Sequence, residues 1–180
     1  MSRAHELLKQ IAGIRNPHGA EIGIAEGEAS ARLLSRIDLT LIMVDNWVGA
    51  EQQPDHYKAT NDVRSVRSAA QQLVSIKQAL NATRFARERR DFIPLASVDA
   101  AELIPDASLD FVWLDAAHSY LAVKADLAAW HQKVRPGGLV SGHDYEVEVK
   151  QAVDEWAEAN GLTVEKGAAR NWYTWLEEKP

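Results

Sequence analysis

Hydrophobic positions along this chain switch repeatedly between the spacing of strands and the spacing of helices. Five apolar segments have the length of strands, and the continuous ones are typical of a parallel sheet covered on both faces. They are predicted at Ala20–Ala25, Leu39–Asp45, Asp91–Ala96, Leu109–Leu114 and Gly138–Gly142. Two further short strands are predicted at Leu162–Lys166 and Trp172–Glu177, joined around Gly167.

Between the strands, apolar residues recur every three or four positions, which predicts helices. These are predicted at residues 4–15 and 28–36, along a stripe of Val66, Ala69, Leu73, Ile76 and Leu80, after Ser119, and around Val149, Ala152, Val153, Trp156 and Ala157. Ser119 is a predicted helix cap, and Arg135–Gly138 (RPGG) is a predicted turn that ends the same helix. The alternation favours a doubly wound α/β sheet, mostly parallel, with helices on both faces.

The chain organisation is that of one domain. Its 180 residues lie within the ~100–200 residues of a typical domain, and no linker divides them. We therefore expect a single domain over residues 1–180, in which residues 1–18 form an N-terminal helix and cap. Residues 46–61 are polar, contain glycine and proline, and show no period. They are the predicted substrate loop.

Composition excludes several classes of protein. Hydrophobic residues are 46% and charged residues 26% of the chain, close to the globular average of about 45–50% and about 25%. The absence of cysteine excludes disulfides, zinc ribbons and thiol catalysis. No apolar run approaches the ~20 residues of a membrane span, and the N-terminus is too charged for a secretory signal. The cytoplasm is therefore the expected compartment.

Charge is distributed unevenly along the chain. The net charge of −6 argues against a general nucleic-acid binder, because such domains tend to be basic. The stretch from Arg64 to Arg90 nevertheless holds seven Lys and Arg residues and one acid, Glu88. A solvated helix face with a turn is the favoured interpretation. A site for a phosphate-bearing substrate or partner is the alternative.

Sheets of this type bind ligands at the carboxyl ends of their strands. The first strand ends in a turn that holds Glu21, Gly23, Gly27 and Ser30. Its glycines allow a ligand to approach the backbone, but the spacing is not that of the dinucleotide motif. An acid two residues before the first glycine suits a ligand with an ammonium group. A plain tight turn is the alternative interpretation.

The ends of the next two strands indicate a nucleoside site. Asp45 is spaced to accept hydrogen bonds from a ribose diol, although a capping role would also explain it. Trp47 is a candidate to lie against an adenine, or is a core residue. Ser97 and Val98 follow the third strand, where the adenine edge would lie, while Asp99 fits an ordinary first-turn helix acid.

Four polar side chains end the fourth and fifth strands: Asp115, His118, His143 and Asp144. Adjacent parallel strands bring them to one rim of the sheet. Carboxylates and a histidine there could hold a divalent cation such as Mg²⁺, and His118 is placed to act as a general base. Isolated residues of these types are usually caps or supporting groups, but four at one rim favour function.

Together these residues resemble the class I S-adenosylmethionine (SAM)-dependent methyltransferases, in particular the small O-methyltransferases that include relatives of macrocin O-methyltransferase. The resemblance runs from about Glu21 to Glu177. Four motifs carry it, in the order Glu21-x-Gly23-x-x-x-Gly27, Val44-Asp45, Phe111-Val-Trp-Leu-Asp115-x-x-His118-Ser-Tyr120 and Pro136-Gly-Gly-x-x-x-Gly142-His-Asp144.

The resemblance implies a Rossmann-like sheet of seven strands whose last strand is antiparallel. It also implies SAM as the cofactor. The residues expected to bind it are Glu21, Gly23, Gly27, Ser30, Asp45, Trp47, Ser97, Val98 and Asp115. A metal would be held by Asp115, His143 and Asp144, with His118 as the base. The sequence departs from the family pattern at Ala25, where many members have a third glycine, and at His143, where metal-dependent members often have a second acid.

The predicted function is transfer of a methyl group from SAM to a hydroxyl of a small molecule, with a divalent cation such as Mg²⁺ orienting the acceptor. One alternative is a non-catalytic SAM- or nucleotide-binding module or partner subunit. Methylation of a nucleic acid or a protein, with Arg84–Arg90 contacting phosphate, is a further alternative. The six tryptophans leave room for one in a homodimer interface. No membrane partner is expected.

Overall fold

The computed structural model describes residues 3–60 and 62–177. Within these residues seven strands form one sheet with the order β3-β2-β1-β4-β5-β7-β6. The strands are β1 (His18–Ile22), β2 (Thr40–Val44), β3 (Arg90–Ile93), β4 (Leu109–Leu114), β5 (Val134–Gly142), β6 (Glu165–Lys166) and β7 (Trp172–Trp175). Residues 1 and 2 of the predicted cap, residue 61 of the predicted loop and residues 178–180 of the predicted domain lie outside the described residues.

The strand directions confirm the predicted fold class. Strands β1 to β5 pair with one another in parallel, whereas β7 runs antiparallel to both β5 and β6. The chain leaves β1 toward β2 on one side and later returns to β4 on the other. This reversal in strand order opens a crevice at the carboxyl ends of β1 and β4.

Seven α-helices and four short 3₁₀ segments connect the described strands. The helices are α1 (Arg3–Ile11), α2 (Glu28–Arg36), α3 (Asp55–Lys58), α4 (Ala69–Ala82), α5 (Ser97–Glu102), α6 (Tyr120–Trp130) and α7 (Val147–Ala159). The 3₁₀ segments are Ala50–Gln52, Arg84–Arg89, His131–Lys133 and Ala168–Arg170. Among the described residues, no helix combines the length and the apolar character needed to span a bilayer.

The sheet separates two hydrophobic cores, and β4 contributes to both. Phe111 and Trp113 pack with α1 and α2, while Val112 and Leu114 pack with α5, α6 and α7. Successive side chains of a strand point to opposite faces. Five of the six residues of β4 are therefore buried, and its sequence is apolar everywhere except at the partly exposed Asp110.

The predicted helix over Glu28–Arg36 and the predicted strand Leu109–Leu114 match α2 and β4. Ser119 caps α6, since its hydroxyl accepts the backbone N–H of Ala122. The predicted turn at Arg135–Gly138 is wrong, because this run lies inside β5. It forms an irregularity opposite Asp110, where Arg135 Nε donates to Asp110 Oδ1 at 2.7 Å, and the positive φ of Gly137 accommodates it.

Helix α4 forms where the apolar stripe predicted a helix, but that stripe is largely exposed. Leu73 is 59% exposed and Leu80 is 38% exposed. The buried face instead carries Gln72, Ser75 and Ala79. Small and hydrogen-bonding side chains face inward because this helix packs against backbone: a Cβ at Gly27 would lie 2.9 Å from the Cα of Ala79.

Candidate functional site

A cavity of about 300 Å³ opens at the carboxyl ends of β1, β2 and β4. Six of the predicted site residues line it: Gly23, Asp45, Ser97, Val98, Asp115 and His118. His143 lies just beneath, in a small pocket that it shares with His118. The remaining predicted residues, Glu21, Gly27, Ser30, Trp47 and Asp144, are not part of the cavity lining.

The turn after β1 makes a close approach that only glycine permits. Gly23 has a φ of 91°, and a Cβ there would lie 2.4 Å from the backbone oxygen of Asp115. A side chain would therefore push the turn away from the end of β4. Gly27 also has a positive φ, and Ala25 adopts a φ of 51° without being glycine. The glycine missing from the family pattern thus does not prevent this turn.

Asp45 holds the turn from the neighbouring strand. Its Oδ2 accepts the backbone N–H groups of Ile24 and Ala25 at 3.0 and 2.9 Å, and its Oδ1 accepts the N–H of Trp47 at 3.0 Å. Burial raises the pKa of Asp45, and these three hydrogen bonds oppose that shift. The carboxylate therefore lies at the cavity wall, as predicted, but most of its acceptor capacity is already used.

Trp47 has the position of a core residue. Its indole stacks on Phe92 with 4.7 Å between ring centroids, and its Nε1 donates to the backbone oxygen of Ala25 at 2.9 Å. The side chain supports the turn from behind and does not face the cavity. The adenine contact predicted for it is not favoured by this placement, whereas the core interpretation is.

Glu21 and Ser30 lie behind the same turn. Ser30 Oγ donates to Glu21 Oε2 at 2.5 Å, and both side chains are buried. Burial raises the pKa of Glu21 to about 8, despite that hydrogen bond. The carboxyl is therefore largely protonated at neutral pH, and an adjacent cation would favour its ionised form.

The predicted rim residues come together because their strands are neighbours. The N–H of Asp115 donates to Ile22 O at 2.8 Å, and the N–H of His143 donates to Leu114 O at 3.0 Å. Asp115 Oδ1 lies 3.5 Å from His118 Nε2 and 3.5 Å from His143 Nδ1. Arg3 Nη1 is 2.8 Å from the other oxygen of Asp115. The three side chains of Asp115, His118 and His143 form what we call the rim cluster.

Asp144 lies beside the rim cluster and not within it. The three ligand atoms of the cluster lie within 4.8 Å of one another, and Asp144 is not a member of this group, although its Oδ1 is also buried without a hydrogen-bond partner. Its Oδ2 is 3.5 Å from His118 Nδ1, and its Oδ1 is 3.3 Å from His143 Nδ1 and 3.2 Å from Arg170 Nη2. The structure thus groups His118 with two of the three predicted metal ligands, Asp115 and His143.

His118 faces carboxylates with both ring nitrogens. Burial lowers its pKa, but the carboxylates of Asp115 and Asp144 outweigh burial, so the pKa of the imidazole lies above its ordinary value. Its Nε2 is buried and has no hydrogen-bond partner. This nitrogen is therefore one of the potential ligand atoms of the rim cluster.

Part of the cavity wall comes from the described residues of the segment 46–68, whose first part, residues 46–61, is the predicted substrate loop. His56, Tyr57 and Arg64 line the cavity, and His56 Nδ1 lies 2.7 Å from Ser119 Oγ. Arg67 donates to Glu26 in the glycine turn, and Arg64 Nη2 lies 3.4 Å from the same carboxylate. The segment is thereby fastened to the turn. The sequence predicted a loop over residues 46–61 but did not indicate any of these contacts.

Several arginines of the basic stretch Arg64–Arg90 make ion pairs or hydrogen bonds within the protein. Arg64 and Arg67 pair with Glu26. Arg89 donates to the backbone oxygens of Leu34 and Leu39, both at 3.0 Å, and Arg90 donates to that of Thr83. These guanidinium groups stabilise the fold from within, which favours the structural interpretation over a phosphate-binding strip.

Asp126 is a cavity residue that the sequence did not reveal. It lies on α6 and is 6% exposed, and it lines the cavity near Ser97. Burial raises its pKa to about 7, although a hydrogen bond from Ser97 opposes the shift. The indole of Trp130 in turn donates to Ser97 Oγ at 2.9 Å. The sequence signal that could have identified Asp126 is the presence of an acidic residue among the buried apolar residues of α6.

Comparison with known proteins identifies a family. A family model described as a methyltransferase domain matches residues 20–145. No curated protein sequence matches the chain. Similar solved structures include the O-methyltransferase NovP, with a TM-score of 0.69, 20% identity and coverage of 98% of this chain and 78% of NovP. A protein from Corynebacterium glutamicum has a TM-score of 0.66 and 16% identity, with coverage of 100% and 83%.

A SAM-dependent methyltransferase from Aquifex aeolicus is similar as well. Its TM-score is 0.60 at 10% identity, with coverage of 96% of this chain and 88% of that one. At these identities the three structures demonstrate a shared fold. The family model is the finding that bears on activity.

Proposed function

The chain belongs to the methyltransferase-domain family, a family of SAM-dependent enzymes, and from this premise we propose that it methylates a hydroxyl group of a small molecule. The finer parts of this proposal are the chemical class of the acceptor, the groups that activate it and the residues that hold SAM. Each is supported by a separate feature of the cavity.

The observation that carries the proposal is the contact between the glycine turn and the rim. Gly23 lies so close to Asp115 that a Cβ would meet the Asp115 backbone oxygen at 2.4 Å. A methionine moiety held by this turn therefore presents its methyl group next to the rim cluster. Methyl donor and acceptor-activating groups are thus neighbours in one cavity, as methyl transfer requires.

The rest of the cavity suits the remaining parts of SAM. Asp45 is at the wall where the ribose hydroxyls would lie, and Ser97 and Val98 lie where the adenine would end. Glu21 and Ser30 support the turn from behind. We assign cofactor binding to these residues, with Trp47 as a supporting core residue.

The chemistry is an in-line displacement at the sulfonium methyl carbon. The hydroxyl oxygen forms a bond to that carbon, the carbon–sulfur bond breaks, and its electron pair stays on sulfur as the thioether of S-adenosylhomocysteine. The hydroxyl proton must leave during the step, so the protein gains rate by orienting the hydroxyl and promoting loss of its proton. We propose that this function depends on Asp115 and His118, which reach the cavity from the rim.

The rim residues fit a divalent cation. Asp115 Oδ1, His118 Nε2 and His143 Nδ1 are buried without hydrogen-bond partners, and buried polar atoms normally have one. A bound cation would lower the pKa of the acceptor hydroxyl. Arg3 orients Asp115 by holding its other oxygen.

A small acceptor is favoured by the walls of the cavity. The segment of residues 46–68 covers one side through His56 and Tyr57, and Arg67 fastens it to the turn. Within Arg84–Arg90, the stretch that would contact phosphate, Arg89 and Arg90 are used in internal contacts. We therefore place the acceptor among hydroxylated small molecules of the sugar or phenol type.

Calorimetric titration of the purified chain with SAM and with S-adenosylhomocysteine tests the proposal. We expect micromolar binding of both. A panel of sugars and phenols is then assayed for release of S-adenosylhomocysteine. The His118→Ala variant should bind SAM like the wild type and lose most turnover, while the exposed His5 supplies a matched His5→Ala control. Absence of binding to both ligands would overturn the proposal, and full turnover by His118→Ala would remove His118 from the mechanism.

A further inference from the structure

We propose that the rim cluster of Asp115, His118 and His143 is a two-histidine, one-carboxylate site for a first-row transition metal ion, with His118 as a ligand. The proposal rests on the proposed function, because it names the cation that would orient the acceptor. It departs from the sequence-based prediction in two respects. The ligand set contains His118 in place of Asp144, and the predicted divalent cation is narrowed to a transition metal ion.

The distances within the cluster are close to those of a metal site. Asp115 Oδ1 lies 3.5 Å from each of His118 Nε2 and His143 Nδ1. Two ligand atoms that each lie about 2.1 Å from an ion, at tetrahedral or octahedral angles, are about 3.0–3.4 Å apart. The two distances from Asp115 Oδ1 are thus within a few tenths of an ångström of that range, and all three atoms lie within 4.8 Å of one another.

The three ligand atoms lie in ion pairs with one another, and His143 Nδ1 also lies 3.3 Å from Asp144 Oδ1. All are buried and make no hydrogen bond. Asp115 is only 1% exposed at its side chain and His143 10%, so solvent does not compensate them. A carboxylate oxygen and two imidazole nitrogens without hydrogen-bond partners are costly in a protein interior. A cation at their centre would satisfy all three at once.

The direction of His118 favours a ligand over a free base. A general base must approach the hydroxyl proton to about 2.6–3.2 Å between heavy atoms. The Nε2 atom of His118 faces Asp115 and is buried, while Nδ1 lies 3.5 Å from Asp144. Each nitrogen thus faces a carboxylate. A ligand role uses Nε2 where it lies.

The residues around the rim cluster are arranged like those that orient the ligands of a metal site. Imidazole ligands usually direct their second nitrogen to a carboxylate, as His118 does toward Asp144 Oδ2. Arg170 Nη2 lies 3.2 Å from the other oxygen of Asp144. Arg3 lies 2.8 Å from Asp115 Oδ2, which leaves Oδ1 directed into the cluster. Asp144 is therefore a positioning residue for His118.

The chemistry of the ligands selects the ion. Mg²⁺ prefers oxygen ligands and seldom binds imidazole. Two imidazoles with one carboxylate suit Mn²⁺, Fe²⁺, Co²⁺ or Zn²⁺, and such triads leave coordination positions free for a substrate. Asp115 and His118 both border the cavity, so the free positions would face the acceptor.

The test uses the untagged chain after removal of metal with a chelator. Co²⁺, Zn²⁺, Mn²⁺ and Mg²⁺ are each titrated calorimetrically in the absence of SAM, and Co²⁺ binding is also followed through its visible absorption, which reports nitrogen coordination. We expect each transition metal ion to bind at least about tenfold more tightly than Mg²⁺. Equal or tighter binding of Mg²⁺ would overturn the inference.

Variants locate the site. His118→Ala and His143→Ala should each weaken Co²⁺ binding more than about tenfold and change the absorption spectrum, while Asp144→Asn should weaken it about tenfold. His5→Ala is the matched control and should bind like the wild type. SAM affinity and thermal unfolding, measured on every variant, show that the fold is retained. Unchanged Co²⁺ affinity in His118→Ala would overturn the ligand role.

The same preparation separates the two proposals. Binding of SAM without binding of any transition metal ion would overturn this inference and leave the proposed methyltransferase function standing. Binding of Co²⁺ at the rim cluster without binding of SAM or S-adenosylhomocysteine would support the metal site and overturn the function.

Discussion

The Asp45 carboxylate, at the end of β2, accepts the backbone N–H of Ala25 in the turn after β1 at 2.9 Å. The two residues are 20 positions apart in the chain. The same oxygen also accepts the N–H of Ile24. One partly buried side chain thus holds the backbone of the segment proposed to bind SAM.

Replacement of this carboxylate should affect both the fold and the cofactor site. Asp45→Ala leaves three backbone N–H groups without their acceptor, so we expect a loss of about 1–3 kcal/mol in the free energy of unfolding. SAM affinity should fall more than about tenfold, since a factor of ten corresponds to about 1.4 kcal/mol. Urea unfolding and calorimetric titration measure the two effects.

The exposed Asp38, whose Oδ1 lies 3.7 Å from Arg89 Nε, supplies the control for Asp45. Asp38→Ala should change stability by less than about 0.5 kcal/mol and leave SAM affinity unaltered. Wild-type SAM affinity in Asp45→Ala would show that the carboxylate neither binds the ribose nor maintains the turn.

Alanine substitutions at two glycines separate the cost of a positive φ from the cost of a steric clash. Gly23 and Gly161 both have a positive φ, but only Gly23 has backbone atoms where a Cβ would lie. Gly161→Ala should cost about 1 kcal/mol through its φ alone. Gly23→Ala should cost at least about 2 kcal/mol more and abolish SAM binding, as thermal unfolding and calorimetry would show. Similar losses in both variants would contradict the close approach of this turn to β4.

The buried Glu21 makes stability depend on pH. Its pKa rises from the ordinary value of 4.5 to about 8, so between these values the folded state binds more protons than the unfolded state. The free energy of unfolding must therefore fall as the pH rises through this window. The loss should be a few kcal/mol in total, at about 1.4 kcal/mol for each pKa unit.

Glu21→Gln removes this titration while keeping an oxygen for the Ser30 hydroxyl. The variant should gain stability relative to the wild type from about pH 5 to about pH 8, the range in which Glu21 titrates. Urea unfolding at several pH values measures it. Asp126, whose pKa is about 7, titrates in both proteins and cancels in the difference. Parallel pH profiles would show that Glu21 is ionised in the folded state.

Helix α4 should tolerate changes on the face that its sequence marks as apolar. Leu73 is 59% exposed, so Leu73→Gln should change stability by less than about 0.5 kcal/mol. Ala79 is fully buried against Gly27, and Ala79→Leu should cost about 1–3 kcal/mol through overpacking. Chemical unfolding of both variants checks the assignment, and a larger loss in Leu73→Gln would reverse it.

Much of the site was predictable because the relevant signals are local. Apolar runs located the strands, and polar residues at their ends identified Asp45, Asp115 and His143 as neighbours of a cavity. The parallel order of the sheet is enough to bring such residues to one edge. Where the prediction failed, at Arg135–Gly138, the run forms an irregularity inside β5 between Val134 and Leu139, both of which pair with β4.

Other features depend on packing partners that are distant in the chain. The contact of Arg3 with Asp115 and the fastening of Arg67 to Glu26 join segments with no common pattern. Asp126 looks like an ordinary helical residue until α6 is placed beside the cavity. The face that a helix buries likewise cannot be predicted from neighbouring residues alone, because the apolar stripe of α4 is largely exposed.

By itself, the sequence determined the order of the elements and the chemical groups that reach the carboxyl edge of the sheet, because periodicity and strand-end residues are properties of neighbouring positions. The tertiary structure alone decided how those groups are used. It turned His118 toward Asp115 and Asp144 and placed Trp47 behind the turn against Phe92. The direction of a side chain depends on atoms brought close by folding, and these lie far apart along the chain.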